Sequence, residues 1–273
     1  MIRIMKKIIL FLCLICCFTG CSGTLKNYNE SKKNDLNEIF CKCEYQDVER
    51  SFILCLPEKV NSKTPLILMF HGAGSDASAF INMTLLKYSA TELGYAIAYV
   101  NGIRNAEDST STSGWNSGIG SSSVDDVGFV KSIVKTLQKK HKIGKEKVFG
   151  VGYSNGGIFM HRLAVEASSL FTGLVCVAGF MPEAVWKKRP SRLNINFLQI
   201  YGEKDDVIPN KKNGSSKYSK NPAIEDVLNY YKKAGASNVI ESIEIENGHH
   251  SWPQEEFCGF NIVTVIMDFF SKL

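Results

Sequence analysis

An α/β fold, one domain with a mainly parallel sheet and helices on both faces, follows from three features of this 273-residue sequence. Short apolar runs, among them PLILMF at 65–70 and AIAYV at 96–100, read as strands buried on both sides. Segments with helical spacing separate these runs, so strands and helices alternate. Several runs end on glycine-containing polar loops, HGAG at 71–74, YGEKDD at 201–206 and NGHH at 247–250. Loops at the carboxyl ends of parallel strands are where open sheets of this kind build ligand sites.

Residues 1–21 stand apart from that domain. Arg3, Lys6 and Lys7 precede an uncharged apolar run at 8–18, and FTGC at 18–21 places small residues before a cysteine. The run is too short for a bilayer span, which needs about 20 residues, and it suits the apolar part of an export signal. The segment resembles a bacterial lipoprotein signal. That resemblance implies a lipid-bearing Cys21 and an extracytoplasmic protein whose only membrane contact is this anchor; an ordinary cleaved signal or an uncleaved anchor is the alternative. Residues 22–38 are polar and aperiodic and read as a flexible tether, which leaves 39–273 as the folded domain, with no second domain and no internal repeat.

The remaining elements follow in order. Residues 43–50 and 51–57 read as two paired strands, and 85–93 has helical spacing. Asp125-Asp126 precedes VGFVKSIVKTLQKK, whose Val127, Val130, Ile133, Val134 and Leu137 share a helical face. An aspartate there caps free N–H groups and suits the helix dipole. Then come a strand at 147–151, a helix at 155–167, strands at 174–178 and 196–201, a helix at 223–234, a strand at 239–245 and a helix at 261–270. The stretches 105–123 and 181–194 lack periodicity and are read as loops that either contact substrate or simply connect.

Charge and cysteine usage exclude some functions. The formal net charge is +5, and removing Arg3, Lys6 and Lys7 leaves +2 on the mature chain. No dense basic block stands out beyond Lys139-Lys140, so a nucleic-acid partner is not expected. Of nine cysteines, Cys41, Cys43, Cys55, Cys176 and Cys258 remain beyond Cys21. Disulfides among them or five free thiols are both compatible with export. The single C-x-C lacks a second ligand pair, so no metal is expected.

The chemistry centres on GVGYSNGGIFMHR at 150–162. G-x-S-x-G alone is a weak signal, but Ser154 follows a predicted strand and precedes a predicted helix, the setting of a nucleophile elbow. A serine hydroxyl needs a base, and the base needs an orienting carboxylate. Asp205 or Asp206 follows one later strand, and His249 or His250 follows the next. The order Ser, Asp, His is that of α/β-hydrolases. From the residues alone, both acids and both histidines stay open.

From residue 50 onward the chain resembles secreted esterases, the family of poly(3-hydroxybutyrate) depolymerase-like proteins and bacterial feruloyl esterases. The stretches that carry the likeness are RSFILCLP, PLILMFHGAG, GWN, VDDVGFV, GYSNGGIFMHRLA, the acid loop and GHHSWP. The chain departs from the family at Val100, where a proline commonly follows the strand. The resemblance implies a single α/β-hydrolase catalytic domain over 39–273 with Ser154 as nucleophile, Asp205 as acid and His250 as base. It implies an oxyanion hole from the N–H groups of Ala73 and Asn155, and His71 as a structural histidine. Trp115, Asn116 and Trp252 are candidate substrate contacts or, equally, packing residues of the core and loops; His161 is a helix-face residue or one that backs the site, and Asp125 and Asp126 are a helix cap and a loop anchor. No cofactor is expected. The implied reaction is hydrolysis of carboxylic esters, either feruloyl or acetyl esters on plant cell-wall polysaccharide or hydroxyalkanoate oligomers. An acyltransferase on the same fold and a catalytically silent binding protein are the rivals from other classes.

Overall fold

The computed structural model describes residues 23–32, 38–104, 113–120, 122–209 and 219–273. The segment read as an export signal, with Cys21, part of the segment read as a tether, and residues 105–112 and 121 of the stretch 105–123 lie outside the described residues. In chain order the strands are β1 (Lys26–Lys32), β2 (Glu38–Tyr45), β3 (Val48–Cys55), β4 (Leu66–Phe70), β5 (Ala96–Val100) and β6 (Ile103–Arg104). They continue with β7 (Ser113–Gly114), β8 (Val148–Tyr153), β9 (Gly173–Val177), β10 (Asn196–Gly202) and β11 (Ile240–Ile245). The helices are α1 (Ala77–Thr84), α2 (Leu86–Glu92), α3 (Asp126–His141), α4 (Asn155–Glu166), α5 (Glu183–Lys188), α6 (Ile224–Ala234), α7 (Glu255–Cys258) and α8 (Ile262–Ser271).

One sheet runs in the order β1-β2-β3-β5-β4-β8-β9-β10-β11, and β6 pairs with β7 as a separate ribbon. From β5 to β11 all neighbours are parallel, whereas β1, β2 and β3 are antiparallel. β4, β5 and β9 are buried at every position, the pattern expected when helices cover both faces. Alternation along β8 shows the two layers. Phe149 stacks on Phe270 of α8 at 4.2 Å, while a side chain at Gly150 would point at Met160 of α4. α1, α2 and α8 therefore share one face, with α4 on the other. The predicted α/β architecture holds, as one domain.

Three local readings need correction. The first hairpin turns at Gln46-Asp47, with φ of 50° and 62°, and not near residue 50. Two-residue hairpins of this hand need positive φ at both central positions and announce themselves by Asn-Gly or Asp-Gly; Gln-Asp carries no such signal. The stretch 181–194, read as irregular, contains α5. Residues 26–32, read as tether, form the edge strand β1, paired antiparallel with β2. Its polar sequence hides it because main-chain bonds, polar side-chain pairs such as His141–Glu30 at 2.7 Å, and one apolar ring contact hold it. Tyr28 packs on Phe52 at 6.1 Å and donates its hydroxyl to Glu30.

Cys41, Cys43, Cys55, Cys176 and Cys258 are all free, the first four buried. Burial pushes the Cys41 thiol up to about 12 and that of Cys43 to about 11, which keeps both in the unreactive protonated form.

Candidate active site

The carboxyl edge of the sheet gathers the predicted residues. β8 ends at Tyr153, and Ser154 sits in the turn before α4 with φ 51° and ψ −115°. A non-glycine residue with positive φ is costly and has to be held by its surroundings. Here the Ser154 N–H donates to the Val177 carbonyl at 2.9 Å, and the Ser154 carbonyl accepts from Ile158 N at 2.8 Å. The flanking glycines are required sterically. A Cβ on Gly152 would strike the Gly156 carbonyl, and one on Gly156 would strike the Phe70 carbonyl.

Ser154 Oγ lies 2.9 Å from His250 Nε2, and His250 Nδ1 lies 2.8 Å from Asp205 Oδ2. A carboxylate on Nδ1 places the ring proton there and leaves Nε2 free to accept from the serine hydroxyl. Asp205 is fully buried, and its Oδ1 accepts the N–H groups of Val207 and Ile208 at 2.9 and 3.3 Å. The acid and base loops are bonded to each other. Lys204 N donates to the Gly248 carbonyl at 2.8 Å, Glu203 accepts from Asn247 N at 3.1 Å, and a Cβ on Gly202 would hit Gly248. Asp206 and His249 are exposed to solvent and take no part in this chain of bonds.

The expected anion site lies beside the serine. A Cβ on Gly72 would come within 3.4 Å of the Ser154 Cβ, which brings the 71–74 loop against the turn that carries Ser154. The N–H groups of Ala73 and Asn155 have no acceptor among the described residues. The second of them opens α4, where the helix dipole favours negative charge.

Residues 50–187, just over half of the chain, match the family model described as Esterase PHB depolymerase. The chain belongs to this esterase family. The putative esterase NocK of Nocardia uniformis subsp. tsuyamanensis is 31% identical over 150 residues, 53% of this chain and 41% of that protein. Feruloyl esterase B of Thermothelomyces thermophilus is 26% identical over 134 residues, 45% of each chain. The aligned part is thus less than half the length of either relative. An S-formylglutathione hydrolase from Agrobacterium tumefaciens superposes with a TM-score of 0.61 at 11% identity, over 92% of this chain and 99% of that one. At that identity the likeness is one of fold, the α/β-hydrolase fold.

Around the site, several predicted residues are packed into the surrounding structure. Trp115, read as lining the pocket or packing internally, is 6% exposed. It stacks on Phe159 at 5.4 Å, and its indole N–H donates to the His71 carbonyl at 2.9 Å. That packing leaves little of the ring for a ligand. Asn116 is likewise occupied, because its Nδ2 donates to the Ser122 and Val124 carbonyls and its N–H to Asp126. Trp252 is 4% exposed, wedged edge-on between Phe80 and Tyr153 at 5.7 and 6.0 Å. Of the three candidate substrate contacts, Trp115 and Trp252 are therefore buried, and Asn116 is half-buried with its amide nitrogen occupied.

His71 is buried, with Nδ1 against the Gly72 carbonyl at 2.7 Å and Nε2 accepting from Gly102 N at 2.9 Å. Burial lowers its pKa, and the neutral ring braces the loop that carries Ala73. His161 is fully buried in contact with Tyr231, and burial lowers its pKa to about 3. Asp125 caps α3 by accepting from Gly128 N at 2.8 Å. Asp126 forms a buried 2.7 Å ion pair with Arg50.

Two further contributions were not anticipated. The Asn155 side chain accepts from Trp115 N at 2.7 Å and donates to Ser117 Oγ at 3.1 Å, so it ties the GWN loop to the turn that carries Ser154. Tyr153 stacks along the His250 ring at 6.0 Å. Tyr153 was marked only by its adjacency to Ser154 in the motif, and Asn155 only for its backbone N–H.

Proposed function

We propose that this esterase is a serine carboxylesterase acting through Ser154, His250 and Asp205. The observation that carries the reading is the unbroken hydrogen-bonded chain from Ser154 Oγ through the His250 ring to buried Asp205. In the proposed reaction Ser154 Oγ attacks the ester carbonyl while His250 Nε2 takes its proton. The Ala73 and Asn155 N–H groups hold the developing oxyanion, each typically worth about 3 kcal/mol of transition-state stabilisation. Collapse expels the alcohol, which receives the proton from His250. Water, deprotonated by the same ring, then cleaves the acyl-enzyme and regenerates Ser154. No metal or organic cofactor enters these steps.

For substrate we favour feruloyl or acetyl esters of plant cell-wall polysaccharides, met outside the cytoplasm by a lipid-anchored protein. Support comes from relatives described as feruloyl esterases and as a bifunctional acetylxylan esterase/xylanase, and from the signal-like residues 1–21. Hydroxyalkanoate oligomers are the second reading, favoured by the description of the family itself. A panel of p-nitrophenyl acetate, p-nitrophenyl butyrate, methyl ferulate, acetylated xylo-oligosaccharide and hydroxybutyrate trimer, run beside Ser154→Ala, tests both points. The expected result is turnover of the short and feruloyl or acetyl esters that vanishes in the variant. Turnover of the trimer with none of the polysaccharide-type esters would overturn the substrate assignment, and activity surviving in Ser154→Ala would overturn the mechanism.

A further inference from the structure

We propose that the outer face of α3 is a docking surface for an anionic lipid bilayer. The proposal takes the anchor at Cys21 from the function reading above, and takes the face itself from the structure.

The chain enters the fold without slack. The Gly23 carbonyl accepts a hydrogen bond from Ser132 Oγ of α3, and a Cβ at Gly23 would run into the Tyr45 ring. β1 begins at Lys26 and is fixed to β2. Cys21 precedes Gly23 by two residues, a reach of about 7 Å at full extension. A flexible tether over 22–38 would have let the domain tumble over the membrane with no preferred face. An ordered edge strand removes that freedom, and Gly23, where the described chain begins, is held against α3.

The surface at that point fits a headgroup layer. Residues 23–25 and α3 enclose a groove of about 450 Å³ lined by Ser132, Lys135, Thr136, Lys139 and Lys140. Lys131, Lys135 and Lys139 recur every four residues and so share one exposed helix face. The segment 131–147 holds lysine at seven positions and a single carboxylate, Glu146. Lys140 is engaged by Glu30 and the Tyr28 ring. Lys135 and Lys139 have no carboxylate within ion-pair distance among the described residues. Lysines near an anionic leaflet add attraction one by one, and a basic face next to an acyl chain is the two-signal arrangement that makes anchoring stable. None of Ser154, Asp205 and His250 lies on α3, so docking there leaves the candidate site clear of the contact.

The test uses the mature chain with Cys21→Ser, which has no N-terminal thiol to acylate. It is co-sedimented with phosphatidylcholine vesicles made with and without phosphatidylglycerol, at low and high salt. Binding should require phosphatidylglycerol and fall with salt. It should drop about a hundredfold in Lys131→Gln/Lys135→Gln/Lys139→Gln, about fivefold per lysine, with an unchanged thermal transition. Absence of phosphatidylglycerol-dependent binding, or equal binding by the triple variant, overturns the proposal. Capture by soluble polygalacturonate without vesicle binding also overturns it and assigns the face to an acidic polymer. The mass of the wild-type mature N-terminus reads the anchor separately. An unacylated Cys21 would refute the lipoprotein reading while the vesicle result still decides the face.

Discussion

Ser154 is where backbone cost and candidate chemistry coincide. Its φ of 51° places a β-substituted residue in a region it normally avoids, and such positions persist only where neighbours over-determine them. The Val177 carbonyl and the two close glycines supply that constraint here. The same close approach explains why glycine is required two residues to either side, a fact that the motif states without giving its reason. The paired candidates part by burial. Asp205 is fully buried and bonded to His250, whereas Asp206 and His249 face solvent. Under the proposed mechanism His250→Ala lowers kcat by about 10⁴-fold or more, while His249→Ala and Asp206→Asn change it less than about threefold. Steady-state rates with p-nitrophenyl butyrate check this, and loss of activity in His249→Ala would reverse the assignment.

At the scale of elements, α3 shows what local patterning reaches and where it stops. Asp125 was legible as a cap because an N-cap is satisfied within three residues, here by Gly128 N. Asp126 was legible only as an anchor of some kind, since its partner Arg50 lies in β3, 76 residues away in sequence. Both charges are 1% exposed, and Arg50 also stacks over the Phe129 ring at 3.9 Å. Removing one member of such a pair strands the other in a dry site. Asp126→Ala should therefore cost about 3–5 kcal/mol, whereas Arg50→Met with Asp126→Leu should cost much less. Urea unfolding of the three proteins measures this; a double variant as unstable as the single one would contradict it. β1 marks the opposite limit. A strand held by main-chain bonds, polar side-chain pairs and one aromatic ring has no apolar alternation to display, so its polar composition resembles a linker.

For the whole molecule, buried neutral histidines link stability to pH. His161 has its pKa lowered to about 3 by burial, and His71 shifts in the same direction. Unfolded, both titrate near 6.5. Between that value and the folded one, the unfolded chain binds the extra proton, so stability is complete above about pH 6.5 and is lost as pH falls toward 3. One such group contributes a slope of up to about 1.4 kcal/mol per pH unit. Urea midpoints at neutral and mildly acidic pH should show this loss, and His161→Phe should flatten it without abolishing it, because His71 remains. An unchanged slope in the variant would refute the assignment to His161.

The sequence by itself determined the alternation of strands and helices, the strand-to-helix setting of Ser154, and the order of serine, acid and base. All of these are written in periodicity and in turn chemistry spanning a few residues. Tertiary structure decided which neighbours meet. It set the buried Asp205 and half-buried His250 against Ser154, buried Trp115 and Trp252, and drew residues 26–32 onto the sheet edge. Those outcomes depend on contacts between loops and strands far apart in the chain. A side chain's role there is fixed by what lies across from it, and local pattern carries no record of that.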